Sequence, residues 1–276
     1  MWCYKPRTLN PEKSVDDIIV NRVAFHAVQD RYITTGRFKA FGTTMVRRST
    51  LKKLGLFLYK HFYSPAGVCV QPGTNNVMIC DSGSCRVRVF GENDQSLYDI
   101  GVTDAAHTYT NPHGISCDAD GSIAVSLYEG RRVKTYDARG RYLNTLDDHD
   151  LNYGGVCYLN RRFAPSSSAT LLLLAASERV LVLSNDGSQP VATISSGKAN
   201  AICVDLNGYV YVSVCPEYTF SIDSEPIQIF EPRMSFKKMP KINLGKSIGT
   251  VRGLCVDDQN VIAFADLYGD KLQFLE

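Results

Sequence analysis

The chain has no apolar run long enough to cross a bilayer as a helix. Its longest purely aliphatic stretch, Leu171–Ala176, is six residues, against the roughly 20 that a span requires. None of its nine cysteines forms a Cys-x-x-Cys pair, and the tightest pair, Cys80 and Cys85, has no histidine nearby to complete a zinc site. There is no glycine-rich phosphate loop, dinucleotide fingerprint, Gly-x-Ser-x-Gly elbow or His-Glu-x-x-His helix, so the enzyme classes those motifs carry find no support. Residues 1–6 lack a basic stretch leading into an apolar segment, so no secretory leader is expected. With an odd cysteine count, this predicts a reduced, cytoplasmic protein without a metal or other cofactor. Glycine (21) and proline (11) are ordinary in number and 44% of the 276 residues are hydrophobic, which excludes collagen-like and disordered chains.

Charge is present but uneven. Residues 1–60 carry a net +8 and residues 61–276 a net −6, although the total is only +2. A basic segment on an acidic body can approach nucleic acid or an acidic partner. No basic run exceeds two residues (Arg47-Arg48, Lys52-Lys53), so the favoured reading is a basic edge that packs against the acidic body or simply faces solvent.

Repetition organises the rest. One unit reads Pro65-Ala66-Gly67-Val68-Cys69-Val70, then Val77-Met78-Ile79-Cys80-Asp81, then Arg86-Val87-Arg88-Val89-Phe90. Another reads Pro112-His113-Gly114-Ile115-Ser116-Cys117, then Ile123 to Ser126, then Arg132-Val133-Lys134-Thr135-Tyr136. Three weaker copies follow. Aligning Gly67, Gly114, Gly155, Ala201 and Gly253 gives spacings of 47, 41, 46 and 52 residues. Each copy holds three short β-rich runs and a more variable fourth, and no segment keeps a 3.6-residue period. Four-stranded units of 40–50 residues mark propeller blades.

The pattern Pro-x-Gly-Val-x-Val, a hydrophobic strand ending in Asp, and Arg-Val-x-Val-Phe resembles the NHL repeat over about 62–276. The resemblance implies an all-β, six-bladed β-propeller, with five blades as the alternative. Residues 1–276 then form a single domain, with 1–60 a degenerate first blade and closing strand. The last unit ends after its third run, so an N-terminal strand should close the ring beside 271–274, and residues 17–28 are the expected source. Proteins of the NHL family often carry such a ring as a binding module. The resemblance therefore implies a non-catalytic scaffold, with a protein partner first, single-stranded RNA second, and no membrane or small-molecule substrate. The alternative is a six-bladed hydrolase or lyase with a metal in the central channel.

In a propeller, the loop entering each inner strand and the loop joining strands two and three open on one face. That face would gather the aromatics Tyr63, Tyr109, Tyr153 and Tyr268 with the basic residues Arg86, Arg131, Arg132, Arg179, Lys198 and Arg252. It would also gather Asn111, His113 and Asn200. Tyrosine and arginine so interleaved suit stacked bases and phosphates, or a protein hot spot. Arg86 is also expected to pair within its blade, for instance with Asp81. Six-bladed amidating lyases hold zinc through entry-loop histidines. Here the positions matching His113 are Ala66, Gly154, Asn200 and Arg252, so a catalytic zinc is not expected. Cys69, Cys157, Cys203 and Cys255 stand two residues after the repeat's Gly or Ala, where a crowded inner strand wants a small buried side chain.

Overall fold

Short β-branched and aliphatic runs, many of them ended by Gly, Asn or Asp, give 24 strands among the described residues of the protein, whose structure is a computed structural model. The structure describes residues 9–15, 22–36, 42–48, 53–56, 62–91, 93–103, 110–128, 131–147, 151–164, 170–184, 190–214, 225–242, 248, 250–266 and 271–276. No helix among them is long and apolar enough to cross a membrane.

The strands form six four-stranded antiparallel sheets arranged as the blades of a ring. The first blade is β2 (Arg22–His26), β3 (Arg31–Gly36), β4 (Gly42–Arg47) and β5 (Lys53–Leu56). The second is β6 (Pro65–Val70), β7 (Val77–Asp81), β8 (Arg86–Phe90) and β9 (Ser96–Gly101). The third is β10 (Pro112–Cys117), β11 (Ile123–Leu127), β12 (Arg132–Tyr136) and β13 (Tyr142–Asp147). The fourth is β14 (Leu151–Leu159), β15 (Leu171–Ala176), β16 (Arg179–Ser184) and β17 (Pro190–Ser195). The fifth is β18 (Ala199–Val204), β19 (Val210–Val214), β20 (Ile227–Glu231) and β21 (Lys237–Lys238). The sixth combines β22 (Val251–Val256), β23 (Ile262–Asp266) and β24 (Lys271–Leu275) with β1 (Leu9–Val15), which pairs antiparallel with β24. Six blades are therefore present, and an N-terminal strand closes the ring.

The closing strand is not where the sequence suggested. Residues 17–28 contain β2, the inner strand of the first blade, and the closure comes from 9–15. The reason is legible afterwards. β1 is the outer edge of its sheet and carries Pro11, Glu12 and Lys13. A sheet edge tolerates proline and charge because one side of the strand donates to nothing.

The core lies between blades rather than within them. Second strands are buried on both faces, as in β7, β11 and β15. Outer strands such as β9 and β13 face solvent on most positions. On the lower rim, three inner-to-second turns share one device. One carboxylate oxygen of Asp118, Asp205 and Asp257 accepts from the backbone N–H groups two and four residues later, at 2.8–2.9 Å. The other oxygen of Asp257 accepts from the Tyr32 hydroxyl at 2.8 Å, tying the sixth blade to the first. Arg48 adds ion pairs to Asp30 and Asp258 at the same seam. Arg31 reaches Asp94 of the second blade at 2.5 Å. Positive charge of the first blade thus meets acids of both neighbours.

Two variants test the closure. Deleting residues 1–15 leaves the β24 edge unpaired, and thermal unfolding should show a large fall in midpoint. Tyr32→Phe leaves the Asp257 carboxylate, 2% exposed, short of one donor. It should lower stability by about 1–3 kcal/mol in urea unfolding. Midpoints equal to wild type in both would contradict a ring held at this seam.

Candidate functional site

Six inner strands meet at the axis, and their spacing is set by backbone contact. A Cβ on Gly67 would lie 2.4 Å from the His113 carbonyl oxygen of the next blade. One on Gly155 would lie 3.2 Å from the Ala201 Cα. The repeat's glycine is therefore a close-approach residue. The channel that remains is a cavity of about 50 Å³, lined by glycines with Val23, Val68, Ile115, Val156, Ile202 and Leu254. That holds a few waters at most, whereas small-molecule sites usually enclose about 300–1,000 Å³. A ligand of metabolite size does not fit inside this channel.

The upper rim carries the entry loops and the loops between second and third strands. Backbone hydrogen bonds join the two kinds of loop: Ser82 N to Ser64 O at 3.0 Å, Tyr128 N to Asn111 O at 2.8 Å, and Gly197 N to Glu178 O at 3.2 Å. Five of the six inner strands are irregular just below this rim, each shifting register near its start. In β10, β18 and β22 the inserted residue is His113, Asn200 and Arg252. In β6 it falls at Ala66–Gly67, and in β14 a wider shift spans 152–155. A bulge releases one residue from ladder pairing and re-aims its side chain, which is why bulges recur beside active sites.

His113 is buried, with its ring 6.1 Å from that of Tyr128, an aromatic residue the sequence reading did not single out. Asn200 is also buried, and its Nδ2 has no hydrogen-bond partner among the described residues. Arg252 is half-buried on the neighbouring β22. Asn111 lies at the entry to β10, its Oδ1 accepting from the Cys85 thiol at 3.5 Å. Lys198 and Tyr63 are exposed in entry loops.

Two of the basic residues at the start of the third strands are held by acids of their own blades. Arg86 pairs with Asp99 at 2.7 Å, not with Asp81 as expected, and Arg132 pairs with Asp147 at 2.5 Å. Asp81 instead accepts from the backbone N–H groups of Tyr63 and Ser64, at 2.9 and 3.1 Å. Arg131 is exposed in a left-handed conformation at φ 51°, and Arg179 is half-buried at the start of β16. Tyr109 and Tyr268 lie outside the described residues, as does the side chain of Tyr153.

The donor set does not fit the channel metal of the alternative reading. The channel walls are aliphatic, and among the described residues no three His, Cys, Asp or Glu side chains come together. Of the bulged positions, His113 alone is of that kind. Cys69, Cys157, Cys203 and Cys255 all lie on inner strands, in four different blades.

No family model matches the chain, and no curated protein matches it by sequence. Solved structures do match. One, named as a gluconolactonase, aligns with a TM-score of 0.73 at 13% identity, covering 99% of this chain and 97% of its own. The gluconolactonase of Xanthomonas campestris aligns with a TM-score of 0.68 at 13% identity, covering 99% and 95%. At that identity the likeness establishes the six-bladed fold. The names nonetheless correct the expectation of a non-catalytic scaffold for protein or RNA, because both neighbours are called gluconolactonases, which favours the enzyme alternative. The physical reason for the error is that a propeller assembles its site from separate blades, so the lack of a contiguous catalytic motif excluded nothing.

The inner-strand thiols give a pH signature. Burial pushes the Cys157 thiol from its ordinary 9.0 up to about 12, and burial followed by the Asp257 carboxylate raises that of Cys255. A raised folded value means that the neutral thiol is favoured by folding. This contribution is complete below about pH 9 and is lost as pH rises toward 12. Stability should therefore fall between pH 9 and 11, and Cys157→Ala should flatten that slope in urea unfolding. Equal slopes in the two proteins would refute it.

Proposed function

We propose that the chain is a hydrolase of small lactones or related esters, working at the upper rim over the closed channel. The observation that carries the reading is Asn200. Its Nδ2 is a buried donor without an acceptor, at a bulged position beside the mouth, and such an unsatisfied group costs about 1–3 kcal/mol. A carbonyl oxygen placed there would satisfy it and would gain strength as it becomes an oxyanion. Arg252 occupies the equivalent position on the adjacent inner strand and supplies positive charge for the same oxygen. His113, at the equivalent position of the third blade, is the general base that takes a proton from the attacking water. The carbonyl carbon gains the water oxygen, the ring C–O bond breaks, and the leaving alkoxide recovers the proton. The names of the structural neighbours support this reaction class, and no step is routed through a metal.

The NHL-type strand pattern of the second and third blades we read as blade architecture, not as a mark of a scaffold. The free thiols suit a reducing compartment, and we place the protein in the cytoplasm.

The test is hydrolysis of a panel of δ-lactones, γ-lactones and aryl esters, followed by proton release. Wild type should turn over at least one class. His113→Ala should lower kcat about 100-fold or more, and Asn200→Ala should lower kcat/KM by a comparable factor. Wild type without turnover above buffer, or full activity in both variants, would overturn the reading.

A further inference from the structure

Cys69 was expected only to fill space, yet its sulfur lies 3.4 Å from that of Cys117 across the seam between the second and third blades. They sit on β6 and β10, neighbouring inner strands, and both side chains are half-buried. Spacing of this kind places two thiols in van der Waals contact, about 1.4 Å from the 2.03–2.05 Å of a disulfide. The seam around them is already fixed. Gln71, two residues after Cys69, donates through Nε2 to the carbonyl oxygens of Gly121 and Ala138 of the third blade, at 2.9 and 2.8 Å. The Cys80 thiol of the second blade also reaches the Gly114 carbonyl oxygen of the third. The two strands are thus held in register, and closing the sulfurs requires side-chain rotation with a small inward shift, not a rearrangement of blades.

We propose that Cys69 and Cys117 form a reversible redox site, a disulfide that staples the second blade to the third when the protein meets a peroxide. One thiolate attacks the peroxide O–O bond, giving a sulfenic acid and hydroxide. The second thiolate then attacks the sulfenic sulfur, the S–O bond breaks, and water leaves once protonated. Two thiols and one hydrogen peroxide become one disulfide and two waters, with sulfur oxidised and peroxide oxygen reduced. A dithiol such as dithiothreitol, or a cellular thiol of the same class, returns the pair. The bond would close a loop of 49 residues, positions 69 to 117, and a loop of that length restricts the unfolded chain strongly. The bond would therefore act as a stabilising clamp on a ring whose blades otherwise meet through non-covalent contacts.

Folded protein is treated with hydrogen peroxide, quenched, denatured without reductant, alkylated and digested. The expected result is a Cys69–Cys117 cross-linked peptide lighter by two hydrogens than the two thiol peptides together. The thermal midpoint should rise with it and return on adding dithiothreitol. Cys69→Ser and Cys117→Ser should each abolish the midpoint rise, and Cys157→Ser should retain it. If either serine variant fails to fold, the cross-linked peptide in wild type decides. Alkylation of both thiols after peroxide treatment, separate sulfinic acids at the two positions, or a cross-link that forms only in denaturant would each overturn the proposal.

Discussion

The constraint on which the structure depends is the meeting of six inner strands around one axis. Where β6 passes β10, the backbones come so near that the Gly67 Cα has no room for a methyl group against the His113 carbonyl. The repeat's glycine, the narrow aliphatic channel and the small residues that follow the glycine all descend from that crowding. A channel of about 50 Å³ cannot be both the packing centre and the chamber for a metabolite. Close packing at the axis therefore sends any chemistry to the rim.

A ring has one more seam than a line of blades, and the last seam must be closed by a strand from the far end of the chain. Here β1 supplies the edge of the sixth blade while Tyr32 and Arg48 of the first blade reach the acids of the sixth. The basic first sixty residues and the acidic remainder are complementary at these contacts, as the Arg31–Asp94 pair on the opposite side of the first blade also indicates. The charge asymmetry thus has an intramolecular use. Exposed pairs of this kind are worth little singly, but Arg31 is 7% exposed and Asp257 2%. Their pairing there offsets a desolvation that would otherwise oppose closure.

Blades two to six were legible because a close-approach glycine or alanine recurs at nearly regular spacing and is followed each time by alternating strands. The first blade was less legible. Its inner strand β2, Arg22–His26, carries no Pro-x-Gly-Val signature and no glycine at all. The closing strand was misplaced for a related reason: Pro11, Glu12 and Lys13 suit a sheet edge and carry no hydrophobic strand pattern. Of the candidate site, His113, Asn200 and Arg252 were identified as matching positions. Their bulges were not, since one inserted residue leaves the hydrophobic pattern nearly unchanged. The Cys69–Cys117 contact was also invisible, because alignment within the repeat put Ser116, not Cys117, opposite Cys69.

The bulges connect these levels. An inner strand that stayed regular up to the rim would spend every side chain on packing between blades, as Val68, Ile115 and Ile202 do one or two residues below. Inserting a residue at the top uncouples that position from the ladder, so its side chain can be polar without disturbing the alternation beneath. That is why a ring with an aliphatic axis can carry His113, Asn200 and Arg252 near the starts of its inner strands. All three can donate hydrogen bonds and none is a carboxylate, which suits a mouth that receives an oxygen acceptor better than one that holds a divalent cation. The low polarity of the channel below strengthens each such contact, since a donor backed by aliphatic walls has little competing water. Under the proposed lactone-hydrolase reading, the apolar floor is thus part of the electrostatics of the rim, and the packing that keeps ligands out of the channel strengthens the contacts at its mouth.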